Sequence, residues 1–325
     1  MKEAQFYTKG EENYVYCVLC PHFCKIPPGK LGKCRGRKNI DGKLYSLNYG
    51  RITSYAFDPI EKKPLYHFYP GSKIFSLGSF GCNLACDFCQ NWEIVYEDNM
   101  ALSVGNNDII ELAKAQDSIG IAYTYNEPTI FYEFVYDIAR MAKNEGMKNA
   151  LITNGYINQD PLNELLPYID AMNIDLKSIS ESFYKHHCKG SLGPVLKTIE
   201  TCAKKTHIEI TTLVIDGENS TMDELERLAK RISEIDKDIP LHLSRYFPNF
   251  KLKLPPTKTE TLMEARNIVR KYLNYVYIGN LWGTDNNTYC PNCYNKLVDR
   301  YNGGKIVGLD EKNCNKCGNK INIKY

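Results

Sequence analysis

From Lys73 to about Asn280 the chain alternates short β-branched or aromatic runs with longer amphipathic runs, and this alternation constrains the fold more than any other feature. Strands separated by helices of about a dozen residues need crossover connections, so they pair in parallel and are covered by those helices. The strand candidates are KIFSLGSF (73–80), GIAYTY (120–125), NALIT (149–153), DAMNIDL (170–176), HIEITTLVI (207–215) and IPLHLSR (239–245). Helix candidates fall at 107–118, 128–145, 194–205, 221–236 and 259–273. The one near 221 shows the local logic. Ser220 or Thr221 can cap it, Asp223 and Glu224 suit its positive end, and Leu225, Leu228 and Ile232 recur at helical spacing. Six such units predict a barrel-like or layered α/β repeat over 73–280, with a Cys-rich segment at 1–72 and a short Cys-rich tail at 281–325.

A hydrophobic fraction of 43% and a charged fraction of 24% over 325 residues describe a globular chain with a large core. A net charge of +3 is too small to single out nucleic acid or an anionic membrane as partner. The N-terminal residues lack a signal-peptide apolar run, and no window approaches the roughly 18 apolar residues of a membrane span, so a cytoplasmic protein is expected. The chain has 13 cysteines. In a cytoplasmic protein their clustering points to metals rather than disulfides. Only Cys188 and Cys202 stand outside the clusters, and both read as ordinary buried thiols, although HHC (186–188) closely follows the fourth strand.

The segment FGCNLACDFCQNWEI places Cys82, Cys86 and Cys89 in a C-x3-C-x2-C array just after the first strand. Three thiolates can hold three irons of a 4Fe-4S cluster and leave the fourth iron open to an outside ligand. Gly81 and Asn83 permit the tight turns that such a loop needs, and Phe88 would lie beside the open position. A zinc knuckle that borrows a distant fourth ligand is the competing reading.

This array, with an aromatic residue before its last cysteine and a β/α repeat behind it, resembles the radical S-adenosylmethionine (SAM) enzymes. The resemblance implies a partial (β/α)6 TIM-like barrel and reductive cleavage of SAM to methionine and a 5'-deoxyadenosyl radical, which takes a hydrogen atom from a substrate. It further implies cofactor contacts at the C-terminal ends of the strands. YTYNEPT supplies Asn126 and Glu127 where the superfamily often carries Gly-Gly-Glu, with Tyr125 and Asn126 in place of the glycines. TNG supplies Thr153 and Asn154, DLK supplies Asp175 and Lys177 around the methionyl group, and LHLSR places His242 near the ribose. Each residue also has an ordinary reading: a barrel-end ion pair for Asp175 and Lys177, a turn for Asn154, a core histidine for His242. Tyr123, Tyr125, Tyr132 and Tyr136 read as packing residues.

Two further cysteine groups flank the repeat. Cys290, Cys293, Cys314 and Cys317 form two C-x2-C knuckles across a hairpin-like NGGK turn, the pattern of a zinc ribbon or rubredoxin-like site. Cys17, Cys20, Cys24 and Cys34 are spaced C-x2-C-x3-C-x9-C, which leaves zinc, an auxiliary iron–sulfur cluster and unmetallated thiols all open. Taken together, CVLCPHFC, SFGCNLACDFCQNW, AYTYNEPT, ITNGY, DLK, YIGN and the terminal knuckles are similar to the radical SAM member of the AmmeMemoRadiSam system, a relative of the pyruvate formate-lyase activating enzymes. That resemblance implies a one-electron reductant such as flavodoxin or ferredoxin, and Memo-like and AMMECR-type proteins as partners. It leaves open whether the substrate is a small molecule or a protein. Activation of a glycyl radical enzyme and a non-enzymatic iron–sulfur or zinc electron carrier are the alternatives.

Overall fold

The alternation of apolar runs folds into a mixed sheet in the computed structural model, which describes residues 1–96 and 101–325. Among the described residues that main sheet has eight strands. Those at Lys73–Gly78, Gly120–Tyr123, Lys148–Thr153, Ala171–Asp175, His207–Val214, Leu241–Arg245 and Val276–Gly279 are parallel and adjacent in sequence order. Their residues are buried on both faces, as strands between a helical layer and a barrel interior must be. The remaining strand, Ser54–Pro59, lies antiparallel on Lys73–Gly78 with Ser54 opposite Gly78 and Pro59 opposite Lys73.

The expected α/β partial barrel is present, and the sheet extends beyond the six expected strands on both sides. Val276–Gly279 is too short to show a period, and its parallel register rests on pairing with Leu241–Arg245. Ser54–Pro59 carries Asp58 and Pro59, which local propensity counts against a strand. Long-range pairing at a sheet edge, where proline is tolerated, decides its conformation.

Helices Asn106–Ala115, Tyr132–Asn144, Leu192–Ala203, Met222–Ser233 and Thr259–Val269 match the expected positions, and Gln159–Leu165 adds another. Thr221 is the cap of Met222–Ser233: its hydroxyl accepts from the Glu224 N–H at 3.3 Å. The helix expected to start at 128 instead begins as a short 3-10 turn, Pro128–Phe131, because the Glu127 carboxylate caps Thr129 and Pro128 opens the turn.

The flanking segments are small antiparallel sheets docked on the barrel. At the N-terminus, Tyr7–Lys9, Val15–Cys17 and Lys25–Ile26 form one, and Lys2–Glu3, Lys43–Ser46 and Arg37–Ile40 another. The fully buried Arg37 reaches Glu133 on the helix Tyr132–Asn144 at 2.5 Å. At the C-terminus, Arg300 donates to the Tyr66 carbonyl at 2.6 Å, and the Tyr69 N–H donates to the Lys324 carbonyl at 2.7 Å. Among the described residues no helix is long and apolar enough to cross a membrane.

Candidate active site and metal centres

The loop after Lys73–Gly78 carries Cys82, Cys86 and Cys89 into a cavity of about 230 Å³. Gly81 begins it at φ +87°, and a side chain there would meet the Cys34 carbonyl at 2.6 Å. The loop has no regular structure, so its backbone groups need partners from elsewhere. The Ala85 and Asp87 N–H groups donate to the carbonyls of Cys188 and His187 at 2.9 and 3.1 Å. The Asp87 carbonyl accepts from the N–H groups of Lys251 and Leu252, both at 2.9 Å. His187 is itself held between Asp87 and Glu218, at 3.0 Å from each carboxylate. The HHC segment is thus the outer wall of the cysteine loop.

Strand ends close the other side of the cavity, whose lining includes Phe88, Asn126, Glu127, Thr153, Asn154, Asp175 and Lys177 along with the three cysteines. Seven of the eight expected cofactor residues therefore come together. Asn126 clamps the loop: its Oδ1 accepts from Ser79 N–H at 2.9 Å, and its Nδ2 donates to the carbonyls of Phe80 and Gly81 at 3.2 and 3.0 Å. Glu127 ties two strand ends together. Its Oε1 accepts from the Thr129 and Thr153 hydroxyls, both at 2.7 Å, and its Oε2 accepts from Asn154 N–H at 2.8 Å. Burial raises the Glu127 carboxyl above its usual range against these hydrogen bonds. The Asn154 amide reaches Cys82 Sγ at 3.6 Å, and the Leu84 N–H reaches the same sulfur at 3.4 Å.

Lys177 sits 2.9 Å from Asp175 with its ammonium 5.8 Å from the Phe88 ring centre. Burial opposes its charge, yet Asp175 and the nearby thiols Cys86 and Cys188 outweigh that and hold the ammonium well above its usual range. The cation is therefore fixed beside the cysteine loop. Desolvation pushes Cys89 up to about 11, whereas Cys86 is drawn below its usual value, first by its hydrogen bond with Cys188.

His242 is not among the residues lining this cavity. Its ring is buried, with Nε2 2.7 Å from Glu209, which also meets His207 at 3.1 Å. Position along the strand accounts for this: Ser244 shares a face with His242 but lies two residues nearer the strand's C-terminal end, and it is the residue of that strand that reaches the cavity. Cys188 is buried, as expected, and it also borders the cysteine loop, where its backbone carbonyl accepts from the Ala85 N–H. The proximity of HHC to the fourth strand was the available signal. Cys202 is buried in the core, as expected.

At the C-terminus the four thiols close on one point: Cys290 and Cys317 are 3.6 Å apart, as are Cys293 and Cys314, and all four sulfurs lie within 4.8 Å of one another. Burial works against ionisation of Cys314, but the N–H groups of Lys316 and Cys317 bring it down to about 6. The four sulfurs are spaced as the ligands of one tetrahedral ion are. Cys17, Cys20, Cys24 and Cys34 line a separate small cavity under the N-terminal sheets.

The Radical SAM superfamily matches residues 77–232 of the chain. Uncharacterized protein MJ0808 of Methanocaldococcus jannaschii is 46% identical over 340 aligned residues, covering 99% of each chain. Pyruvate formate-lyase 1-activating enzyme of Escherichia coli is 25% identical over 216 residues, which is 59% of this chain and 86% of that enzyme. Streptococcus suis SuiB bound to the precursor peptide SuiA shares the fold, with a TM-score of 0.51 at 15% identity over 65% of this chain and 48% of that one. The chain belongs to the radical SAM superfamily and is a radical SAM enzyme. Its likeness to MJ0808 runs the whole length and takes in both Cys-rich ends as well as the barrel.

Proposed function

We propose that Cys82, Cys86 and Cys89 hold the 4Fe-4S cluster of this enzyme, and that SAM binds across the cavity between that loop and the strand ends. The observation that carries the reading is the convergence of these three thiols with Lys177 and Asp175 on one cavity. The donor set fits the group: Cys82, Cys86 and Cys89 are the cysteines that line the cavity, and three thiolates leave one iron for an outside ligand. When bound, a reduced 4Fe-4S cluster supplies one electron to the sulfonium of SAM, whose S–C5' bond breaks to give methionine and a 5'-deoxyadenosyl radical. Lys177 would hold the methionyl carboxylate and Asp175 the methionyl amino group, by opposite charge. Asn126, Glu127, Thr153 and Asn154 hold the loop and strand ends in register, and the buried Phe88 ring on the cavity wall would help to keep water from the cluster.

The test is anaerobic reconstitution with iron, sulfide, SAM and dithionite. The wild-type chain yields 5'-deoxyadenosine and the Cys86→Ala variant does not; equal yields from both would remove the assignment.

Two likenesses bear on the radical's target. The likeness to E. coli pyruvate formate-lyase 1-activating enzyme favours hydrogen abstraction from a protein glycine, and the whole-chain sequence pattern favours a role in the AmmeMemoRadiSam system with Memo-like and AMMECR-type partners. EPR of candidate partner proteins after turnover separates these: a glycine-centred doublet supports the first. Zinc is the metal we assign to the C-terminal site, because its closed thiolate set matches a structural ion.

A further inference from the structure

We propose that Cys17, Cys20, Cys24 and Cys34 hold a second 4Fe-4S cluster, ligated on all four irons, rather than a zinc ion. A single tetrahedral metal about 2.3 Å from each thiolate draws the sulfurs to about 3.8 Å of one another. The C-terminal quartet has that geometry, with sulfur pairs at 3.6 Å. Among the described residues it is the one group of three or more thiol, imidazole or carboxylate ligands within 4.8 Å of one another. The N-terminal sulfurs are spread more widely, although all four face the same cavity. Between them is an enclosed space in which the centre of a water-sized sphere can range over about 10 Å³. Sulfurs drawn in around one zinc would leave no such space. A cubane places an iron in front of each sulfur and holds the four apart. Cys82, Cys86 and Cys89 show the same pattern: one shared cavity, with sulfurs farther apart than a single ion allows.

Arg37 gives a second, independent indication. It lines the N-terminal cavity, is 1% exposed, and its Nε has no hydrogen-bond partner, although Nη1 donates to the Gln5 carbonyl at 2.8 Å and Nη2 meets Glu133. A buried N–H without a partner is costly, and it is satisfied by an acceptor that enters the cavity. The sulfides and thiolates of an anionic cluster are such acceptors. The rest of the lining is Leu19, Ile26, Gly32 and Ile130, which keep water away, and His22, whose ring Nε2 is taken up by the Asn83 carbonyl. The site also backs directly onto the radical-cluster loop: the Cys34 carbonyl lies against Gly81, and His22 Nε2 is 2.6 Å from the Asn83 carbonyl.

The experiment uses the full chain with Cys82, Cys86 and Cys89 all changed to Ala, reconstituted anaerobically with iron and sulfide in the presence of zinc. This variant lacks the proposed SAM site, so the outcome does not depend on that reading. We expect about four irons and about four acid-labile sulfides per chain, and the Mössbauer spectrum of a 4Fe-4S centre. Adding Cys17→Ser and Cys34→Ser should bring sulfide to near zero. Sulfide is the decisive quantity, since a rubredoxin-like iron at the C-terminal site carries none. Bound zinc without sulfide at the N-terminal quartet, or no metal there, would overturn the proposal. Should the triple variant fail to fold, the wild-type chain decides: about eight sulfides support a second cluster and about four refute it.

Discussion

Replacing Asn126 by Ala should loosen the cysteine loop before it affects any chemistry. The side chain makes three hydrogen bonds, to Ser79 N–H and to the carbonyls of Phe80 and Gly81. Asn48 also donates to Phe80, at 3.0 Å, so that carbonyl keeps a partner in the variant. Ser79 N–H and the Gly81 carbonyl lose theirs, and both residues are buried. Each orphaned group costs about 1–3 kcal/mol, so the substitution should destabilise the folded chain by about 2–6 kcal/mol. Asn126→Asp keeps the acceptor for Ser79 but turns an oxygen toward two carbonyls, and should fall in the same range. The assay is anaerobic urea unfolding of the reconstituted protein, with the rate of iron release to a chelator followed in parallel. Iron release should accelerate in both variants. Stability within about 0.5 kcal/mol of wild type, with unchanged iron release, would show that the loop is held by other means and that the clamp reading is wrong.

Three further outcomes are expected. Lys177→Met should lower SAM affinity about ten- to a hundredfold, from a lost charge-assisted contact of about 1.5–3 kcal/mol, while leaving the cluster spectrum intact; unchanged affinity by cluster EPR would reduce Lys177 and Asp175 to a structural ion pair. The double variant Cys290→Ser, Cys314→Ser should lose one bound metal and expose the tail to protease, because its core is little more than Leu297, Val298, Ile321 and Ile323 beside those cysteines. Burial holds the His67 imidazole down at about 3, so between about pH 6.5 and 3 the unfolded chain binds a proton that the folded chain does not. Stability should therefore fall as pH falls through that window, by up to about 1.4 kcal/mol per unit, and His67→Gln should flatten the slope; parallel curves for wild type and variant would count against it.

The cysteine loop and the strand ends were legible in the sequence because their signals are local. A cysteine array, a strand and a following polar triplet each occupy a few adjacent positions. What was not legible depends on partners distant in sequence. Cys188 became part of the loop's wall only when the segment Tyr184–Cys188 packed under residues 85–87. Asn126 looked like a cofactor contact, and its amide proves to be taken up by backbone about 46 residues away. His242 shares its strand with Ser244, and which of the two meets the cavity depends on how far along the strand the opening lies, a length that a period of two does not encode. Ser54–Pro59 is a strand by virtue of its neighbour alone.

The ion pair between Arg37 and Glu133 also sets an order of events during synthesis. The two residues are 96 positions apart, so the N-terminal cysteines leave the ribosome long before the carboxylate that neutralises the arginine beneath them. A nascent chain that buried Arg37 without Glu133 would carry an uncompensated charge, at a cost of about 3–5 kcal/mol. The N-terminal module therefore waits for the helix Tyr132–Asn144, and a metal captured earlier would be bound by an unfinished pocket. Ribosome-stalled chains ending before and after that helix should differ sharply in protease resistance over residues 1–50.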